Sequence, residues 1–514
     1  MCDHAFPPRH ARSGTPAGGD AKSGDATSGG AESGGAVCGG ANSDPISRRT
    51  LLERGGAVAA LLALPSLRDG AWELSSGVAP GRALSATRSA SAYVDAALKA
   101  ERWIARSAVR DSRGLTWPAD PSDAKSVQDN LYSGSPGVVL FYLELAQATG
   151  DRRWLEPARD GALYLAATLP AAAATLGEEG HGLYTGVAGV AYVLELAQRA
   201  TGDTRLRAGR DRAVAILRET LAPVSAGAAW NPSTDIISGS SGILLTLAWL
   251  DRNGGAWDGW RRDAARAGDR LMEVAIPEFG GVKWGISSSV PRRYPNFSHG
   301  TAGVSYTLAT LYQETRERRF LDAALAGERY LAAIATRTAG DGVRIHHSEP
   351  GGEELFYLSW CHGPAGTARL YHRLAESTGD SRWRATISRL AQAIVDSGVP
   401  EVHPDRSGYW NNISQCCGSC GVVEFFIAMH AMTGDTRHLT FARRVMDDAL
   451  SRGTADGDGL KWIQNEHRVR PDLLVAQTGL MQGSAGVGLA LLHLDGALTG
   501  RAPLVALPDA PRWV

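Results

Sequence analysis

A glycine pair with the spacing G-x-x-G recurs seven times in the chain, each time followed by a nearly apolar segment. The first glycines of the pairs are Gly134, Gly186, Gly239, Gly300, Gly363, Gly418 and Gly483. Successive copies lie about 52 to 65 residues apart, a period typical of proteins in which each repeat is one supersecondary unit. The glycines are expected to let loop and helix backbones pack closely and to permit positive φ angles.

A second marker, Thr-Gly-Asp, follows the second glycine of four pairs by twelve residues. It begins at Thr149, Thr201, Thr378 and Thr433, and Thr315 keeps the same place in a fifth copy. The glycine is expected to end one helix in a left-handed conformation, and the aspartate to cap the next helix. The stretch that follows, such as 151–169, has polar residues on one face. Each repeat is therefore predicted to be a hairpin of a short apolar helix and a longer two-faced helix.

Seven such hairpins that close on themselves form an all-α toroid, in which seven inner helices are ringed by seven outer helices. An open solenoid is the alternative, but its end repeats would need polar capping faces. The first and last copies, LYSGSPGVVLFY and LMQGSAGVGLALL, are as apolar as the middle copies. We therefore expect a closed α/α toroid, with the domain covering residues 87–514.

Composition and charge exclude several classes of partner. The 53 Lys and Arg residues balance 54 Asp and Glu residues, which argues against nucleic acid or an anionic membrane surface as the main partner. No apolar run reaches the roughly 18–20 residues that a membrane helix needs, so we expect no membrane span in the mature chain. Hydrophobic residues at 44% and charged residues at 21% are typical of a globular protein.

Residues 1–86 differ from the rest of the chain. The first 46 residues are rich in glycine and serine and cannot bury enough apolar surface to fold. The pair Arg48-Arg49 precedes an apolar run at 57–67, and together they resemble a twin-arginine export signal with a cleavage point near 82–86. We predict export to the periplasm or the extracellular space, and a cytoplasmic protein if the arginine pair is a chance occurrence.

Four of the six cysteines lie in, or just ahead of, the fifth and sixth glycine pairs. If all seven loops share one rim of the toroid, these residues converge at its mouth. Zinc favours thiolates in tetrahedral geometry, and a catalytic zinc site keeps one position open, so Cys361, Cys416 and Cys417 form a candidate metal site. The spacing Cys417-x-x-Cys420 is also that of a dithiol–disulfide pair. We favour the alternative that Cys420 is a small packing residue, because alanine holds its place in other copies, for example at Ala302, Ala365 and Ala485.

The seven hairpins, the W-C-x-G loop at 360–363 and the C-C-G loop at 416–418 together resemble the lanthionine synthetase C-like family. The resemblance covers roughly residues 88–514 and implies an α/α toroid with one zinc ion held by Cys361, Cys416 and Cys417. The implied reaction forms a thioether. A cysteine thiolate adds to dehydroalanine or dehydrobutyrine in the same peptide, and a general acid protonates the resulting enolate. The implied partners are a dehydrated peptide substrate and a separate dehydratase, since no dehydration domain is evident ahead of the toroid.

The resemblance also assigns catalytic residues. His299 and Asp235, in loops four and three, take the places of the family's catalytic histidine and acid, where histidine can move a proton and aspartate can orient it. A lone histidine before a glycine is more often a packing or capping residue, and Asp235 is compatible with capping a turn. The position of His299 in the repeat favours the catalytic role instead. Two departures stand out: Tyr357 replaces a usual arginine and His362 replaces a usual tyrosine.

Losing that arginine removes a cation that would stabilise the enolate. His362 is therefore a third candidate catalytic residue, and Arg344 is another possible substitute for the cation. His346 and His347 are expected to be surface loop residues.

Two other functions stay open. One is a zinc-stabilised toroid that binds peptides without cyclase activity, which the missing arginine and the export signal favour. The other is an α/α-toroid glycosidase, which would need a pair of carboxylates at the mouth. Asp235 is the one acidic residue that the spacing places at a loop mouth, so this alternative ranks last.

Overall fold

The structure is a computed structural model, and it describes residues 91–513 except 254, 402–408, 466, 467 and 469. The predicted tail and twin-arginine signal at 1–86 lie outside the described residues, so both remain predictions. Among the described helices, none combines the length and apolar character of a membrane span.

Inner and outer helices alternate along the described chain, as the repeat predicts. The inner helices are α2 (Ser135–Thr149), α4 (Val187–Thr201), α6 (Ser240–Asn253), α8 (Thr301–Thr315), α10 (Pro364–Thr378), α12 (Ser419–Thr433) and α14 (Ser484–Thr499). The outer helices are α1 (Ala92–Arg106), α3 (Leu155–Thr168), α5 (Thr204–Thr220), α7 (Trp260–Glu273), α9 (Arg318–Ile334), α11 (Arg382–Asp396) and α13 (Thr436–Ser451). The prediction that the outer helices are the longer ones is wrong, because both sets run to about four turns.

The helices close into a ring, which confirms the α/α toroid and excludes the open solenoid. Each inner helix packs against the next one, and α14 packs against α2. Six outer helices cover the inner helix that precedes them, whereas α1 covers α14. The first described helix therefore completes the last hairpin, and neither end of the apolar row is left exposed.

The loops that precede the inner helices are joined by their own ring of hydrogen bonds. We number them loops 1 to 7 by the glycine pair that each leads into. In each loop, a backbone N–H two or three residues ahead of the first glycine donates to a carbonyl of an adjacent loop, at 2.8–3.0 Å. The bonds run from Tyr132 to Tyr184, Tyr184 to Ile237, Ile236 to Ser298, Ser298 to Cys361, Cys361 to Cys416, Cys416 to Met481 and Met481 to Tyr132. These seven hydrogen bonds join the loops into a closed ring, in which the backbone N–H groups that form it are paired with carbonyls of neighbouring loops.

The glycine pairs allow this close packing by lacking a side chain. A Cβ atom added at Gly366 would overlap the carbonyl oxygen of Trp360, and one at Gly300 would overlap that of Tyr294. The expectation of positive φ at the pairs is wrong, because Gly300 has φ −150° and Gly363 has φ −121°. Close approach, not left-handed backbone, is what requires glycine there.

The Thr-Gly-Asp markers act as predicted. Gly150, Gly202, Gly379 and Gly434 end inner helices with φ between 69° and 75°. Asp203 then accepts from the N–H of Arg205 and caps α5, and Asp435 accepts from that of Arg437 and caps α13. Each marker therefore ends one helix and starts the next chain element.

Short two-stranded pairs, which the sequence did not predict, connect many of the helices. The strands are β1 (Val109–Asp111), β2 (Gly114–Thr116), β3 (Ala222–Val224), β4 (Gly227–Ala229), β5 (Ile276–Glu278), β6 (Gly281–Lys283), β7 (Thr336–Arg337), β8 (Val343–Arg344), β9 (Phe356–Tyr357), β10 (Tyr409–Trp410), β11 (Thr454–Asp456), β12 (Gly459–Lys461), β13 (Gln464–Asn465) and β14 (Leu474–Val475). They pair as antiparallel neighbours along the chain, except that β9 and β10 are parallel. After β4, β6 and β12, a buried tryptophan indole donates to a carbonyl in the last turn or two of the preceding outer helix.

Candidate metal centre and active site

Loops 5 and 6 bring three cysteines together. The Sγ atom of Cys417 lies 3.3 Å from that of Cys361 and 3.5 Å from that of Cys416. All three sulfur atoms lie within 4.8 Å of one another, and all three residues are buried. The backbone bond from Cys361 N–H to the Cys416 carbonyl holds the two loops side by side.

This arrangement suits a metal ion with thiolate ligands. Zinc–sulfur bonds of about 2.3 Å in a tetrahedron place ligand sulfurs about 3.8 Å apart, close to the spacing here. A disulfide needs a sulfur–sulfur distance of about 2.05 Å, so neither close pair is one. Three protein thiolates leave a fourth position for an exogenous ligand, which is the pattern of catalytic zinc sites.

Cys420 is not part of the cluster. It lies in the first turn of α12 and is fully buried, and no disulfide joins it to Cys417. Burial raises the pKa of its thiol well above the usual range, which favours the neutral form. A neutral buried thiol behaves as a small packing residue.

Loops 3 and 4 form a histidine–carboxylate pair. The Nδ1 atom of His299 lies 2.5 Å from Oδ2 of Asp235. The other carboxylate oxygen of Asp235 accepts from the backbone N–H groups of Ser238 and Gly239, at 3.0 and 2.7 Å. Since the carboxylate only accepts, Nδ1 of His299 carries the hydrogen and Nε2 is the nitrogen available for proton transfer.

His362 connects this pair to the cysteines. It directly follows Cys361, and its ring lies 5.6 Å from that of His299, stacked at 29°. The His347 and Tyr294 rings lie 4.4 and 5.0 Å from it. The structure therefore places the three predicted catalytic residues, Asp235, His299 and His362, in one continuous row beside the cysteines.

The expected surface position of His347 is wrong. Its exposed fraction is 1%, and its ring packs against His362 and Tyr357. His347 lies in the segment between α9 and α10. The side-chain amide of Asn296 in loop 4 donates to the carbonyl of the preceding residue, His346, at 2.8 Å, which holds this segment against loop 4. Because His347 lies between repeats, no repeat position could have identified it.

Comparison with known proteins decides the family. The lanthionine synthetase C-like protein family matches residues 125–499, most of the chain. The chain belongs to the lanthionine synthetase C-like family. The sequence shows no significant match to a curated protein.

The fold of this lanthionine synthetase C-like protein is similar to that of a solved structure. Nisin cyclase superposes with a TM-score of 0.53 at 16% identity, covering 78% of this chain and 97% of its own. A protein from Listeria innocua gives 0.43 at 12% identity, covering 79% and 97%. An α-mannanase of glycoside hydrolase family 76 from Bacteroides thetaiotaomicron gives 0.44 at 12% identity, covering 80% and 96%. The likeness to nisin cyclase shows the toroid; the other two scores are too low to carry an argument.

The lanthionine synthetase C-like protein has Tyr357 at the position where arginine is usual in the family pattern. Tyr357 is buried, and its ring lies 4.4 Å from that of His347 and 5.4 Å from that of His362. Arg344 packs 3.8 Å over Phe356 and donates to the Tyr409 hydroxyl at 2.7 Å. Adjacent strand residues point to opposite faces, so Arg344 lies on the side of β9 away from Tyr357. It does not supply the missing cation.

Gln482 is a site residue that the sequence analysis did not single out. It directly precedes the glycine pair of loop 7, as His299, His362 and Cys417 do in theirs. Its amide nitrogen lies 3.9 Å from Sγ of Cys417 and 3.0 Å from the Tyr132 hydroxyl. An N–H donor beside a thiolate stabilises its negative charge. Its place in the repeat was the signal that could have found it.

Proposed function

We propose that this lanthionine synthetase C-like protein is a zinc-dependent cyclase. It joins a peptide cysteine to a dehydroalanine or dehydrobutyrine of the same peptide through a thioether. The observation that supports this most directly is the three-cysteine cluster of loops 5 and 6. Loop 5 is hydrogen-bonded through its backbone to loop 4, which carries His299 of the His299–Asp235 pair.

The cysteines are the proposed zinc ligands. Cys361, Cys416 and Cys417 would hold the ion, and bound zinc would lower the pKa of a substrate thiol so that thiolate forms near neutral pH. The ring of backbone bonds fixes Cys361 against Cys416 before any ligand arrives. Such preorganisation reduces the conformational entropy that metal binding has to overcome.

His299 is the proposed proton donor. Addition forms the carbon–sulfur bond at the β-carbon, moves the π electrons of the double bond towards the carbonyl, and leaves an enolate that needs one proton at the α-carbon. Nε2 of His299 faces away from Asp235, and its imidazolium form can deliver that proton. Asp235 holds the tautomer and stabilises the imidazolium, because three donors fix its other oxygen.

His362 and Tyr357 are the proposed replacement for the cation of the family pattern. Both contact His347, and His362 also stacks on His299. An imidazole and a phenol can donate hydrogen bonds to an enolate oxygen, although neither carries the permanent charge of arginine. This makes enolate stabilisation weaker than an arginine would provide.

That substitution favours a second candidate, a zinc-binding toroid that recognises a peptide without cyclising it. A glycosidase is disfavoured by the state of Asp235. Its side chain is buried and engaged with four donors, so it is committed to positioning His299.

Two further proposals concern the setting of the reaction. The Arg48-Arg49 pair and the apolar run at 57–67 support export by the twin-arginine route. The proposed reaction consumes a dehydroamino acid, which a dehydration has to form first, so we propose a separate dehydratase as the source of the dehydrated peptide.

Binding and conversion of one peptide separate the two candidate functions. Zinc-loaded protein is mixed with a fluorescent dehydrated peptide that contains one cysteine, and both fluorescence anisotropy and free thiol are followed. A cyclase binds the peptide and removes its thiol at constant mass. Binding with the thiol unchanged supports the recognition toroid and contradicts the cyclase.

A further inference from the structure

The chain after α14 turns back into the centre of the ring. Residues 501–513, which we call the C-terminal segment, first contact Glu144 on α2. One oxygen of Glu144 pairs with Arg501 at 2.9 Å, and the other accepts from the backbone N–H groups of Leu504 and Val505, both at 2.9 Å. The beginning of the segment is thereby anchored to an inner helix.

The segment then makes a tight turn towards the loops. The N–H of Ala510 donates to the Leu507 carbonyl at 2.9 Å, with Pro508 at the second turn position, where proline is favoured. Tyr192 on α4 holds the approach by donating to the Ala506 carbonyl at 3.0 Å. Asp509 lies at the apex of the turn and is fully buried.

The side chain of Asp509 contacts loop 5, the loop that carries Cys361. Its Oδ1 accepts from the Tyr184 hydroxyl at 3.2 Å, and its Oδ2 accepts from the Trp360 indole and the Arg369 guanidinium, both at 2.9 Å. Burying a carboxylate is costly unless it is paired and hydrogen-bonded, and here every donor is in place. Trp360 is the residue immediately before Cys361.

The contact joins two loops that are not neighbours in the ring. Tyr184 belongs to loop 2 and Trp360 to loop 5, and their rings lie 5.0 Å apart over the carboxylate. The segment does not simply fill the ring. A cavity of about 750 Å³ remains between it and the C-terminal halves of α4, α6, α8 and α10. Near the rim, the carboxylate of Asp509 contacts loop 2, loop 5 and α10, and its contact in loop 5 is the residue next to Cys361.

We propose that Asp509 is a positioning residue of the metal centre and that the C-terminal segment is the support of loop 5. Asp509 accepts a hydrogen bond from the Trp360 indole and so fixes the residue before Cys361. This keeps the sulfur of Cys361 at the distance from the sulfurs of Cys416 and Cys417 that a shared metal ion requires. This inference rests on the proposed zinc site. Partners outside the ligand shell that orient a ligand commonly change metal affinity by about 10- to 100-fold when removed.

The test measures zinc affinity, by competition with a chromogenic chelator, and the thiolate-to-cobalt absorption band of the Co²⁺-substituted protein. Asp509→Ala and Trp360→Phe are each expected to weaken zinc binding about tenfold and to alter the cobalt band. The double variant should bind zinc no more weakly than either single variant, because each single substitution already removes the hydrogen bond between Trp360 and Asp509. Asp509→Asn, which keeps one acceptor oxygen, should restore part of the affinity.

Tyr192→Phe is the matched control, since it removes a hydrogen bond to the same segment without touching loop 5. It is expected to leave affinity and spectrum unchanged. Wild-type affinity and cobalt band in folded Asp509→Ala would overturn the inference. If Asp509→Ala does not fold, wild-type zinc affinity and cobalt band in Trp360→Phe, which keeps the Asp509 carboxylate, would overturn the inference. A wild-type protein that binds no zinc contradicts the proposed function instead, so the two failures are distinguishable.

Discussion

The backbone N–H of Cys361 donates to the carbonyl of Cys416 at 3.0 Å, so two proposed ligands from different repeats are joined through the main chain. The same bond type links every pair of adjacent loops around the rim. The proposed metal ligands are therefore held by the same backbone bonds that close the rim of the toroid. A site of this kind is rigid without the metal, because its loops are fixed by bonds that no ligand makes.

Removing a ligand thiolate should abolish tight zinc binding. Cys361→Ala, Cys416→Ala and Cys417→Ala are expected to lose the ion, because two thiolates cannot complete the site. Wild-type protein should hold about one zinc per chain by elemental analysis. Cys420→Ala is the matched control, since its thiol is buried outside the cluster, and it should keep the metal. Zinc loss in the control and retention in Cys417→Ala would contradict the assignment.

Asp235→Asn should impair catalysis while leaving the zinc in place. The amide can accept from the loop 3 N–H groups only by turning its NH₂ towards His299. Nδ1 of His299 must then accept a hydrogen bond, so the ring hydrogen moves to Nε2 and the imidazolium form that donates the proton is disfavoured. We expect the cyclisation rate to fall by about 10²–10⁴-fold, the range for general acid–base groups.

The measurement is single-turnover thiol loss together with zinc content. Ser238→Ala removes a weaker donor to the same carboxylate and should change the rate far less. Equal rates for wild type and Asp235→Asn would show that the pair is structural.

His493 should make the folded protein more stable at neutral than at alkaline pH. Burial alone would lower the pKa of His493, but the carboxylates of Glu424 and Glu144 outweigh it and raise the pKa to about 10. The folded-state pKa thus lies above the ordinary value of about 6.5 in an unfolded chain. The stabilisation is then fully present below about pH 6.5 and is lost as the pH rises through about 10.

The check compares wild type with His493→Gln by thermal unfolding between pH 6 and pH 10. The melting-temperature advantage of the wild type should shrink steadily across this range. Comparing the two proteins removes the contribution of lysines and tyrosines that titrate in both. A constant difference would show that His493 is neutral throughout.

The arginine pair gives a prediction about location. Replacing Arg48-Arg49 with Lys-Lys should retain the protein in the cytoplasm, because the twin-arginine export machinery recognises those two residues. Cell fractionation with an antibody to the toroid measures this. Replacing Arg9 and Arg12, which lie in the tail ahead of the signal, is the control and should leave export intact. Unchanged export of the Lys-Lys protein would remove the twin-arginine interpretation.

Much of the toroid could be predicted from the sequence because its signal is repeated. One glycine pair is weak evidence, but seven pairs with Thr-Gly-Asp markers specify hairpins, their order and ring closure. The same alignment put Cys361, Cys416, Cys417, His299 and Asp235 on one rim, where the structure places them.

The remaining parts of the site depend on chain segments that do not follow the repeat. His347 arrives from an excursion between α9 and α10, and Asp509 from a turn after the last helix. Neither position has an equivalent in the other copies, so periodicity carries no information about it. Gln482 differs, because it occupies a repeat position, although an amide side chain by itself does not indicate a metal site.

Ring closure also explains why α1 could not be assigned to a repeat. It has no glycine pair, and its place is fixed by the exposed face of α14, which lacks an outer helix of its own among the described residues. The final hairpin is therefore formed by the two ends of the described chain, a long-range pairing that local sequence patterns do not reveal.

The most direct test of the central claim is thiol consumption in a dehydrated peptide that contains one cysteine and one dehydroalanine. With zinc-loaded wild-type protein, we expect the free thiol to disappear while the peptide mass stays unchanged, since addition is an isomerisation. His299→Ala should keep its zinc and lose this activity, and Cys361→Ala should lose both. A peptide that keeps its thiol in the presence of zinc-loaded wild-type protein would contradict the cyclase assignment.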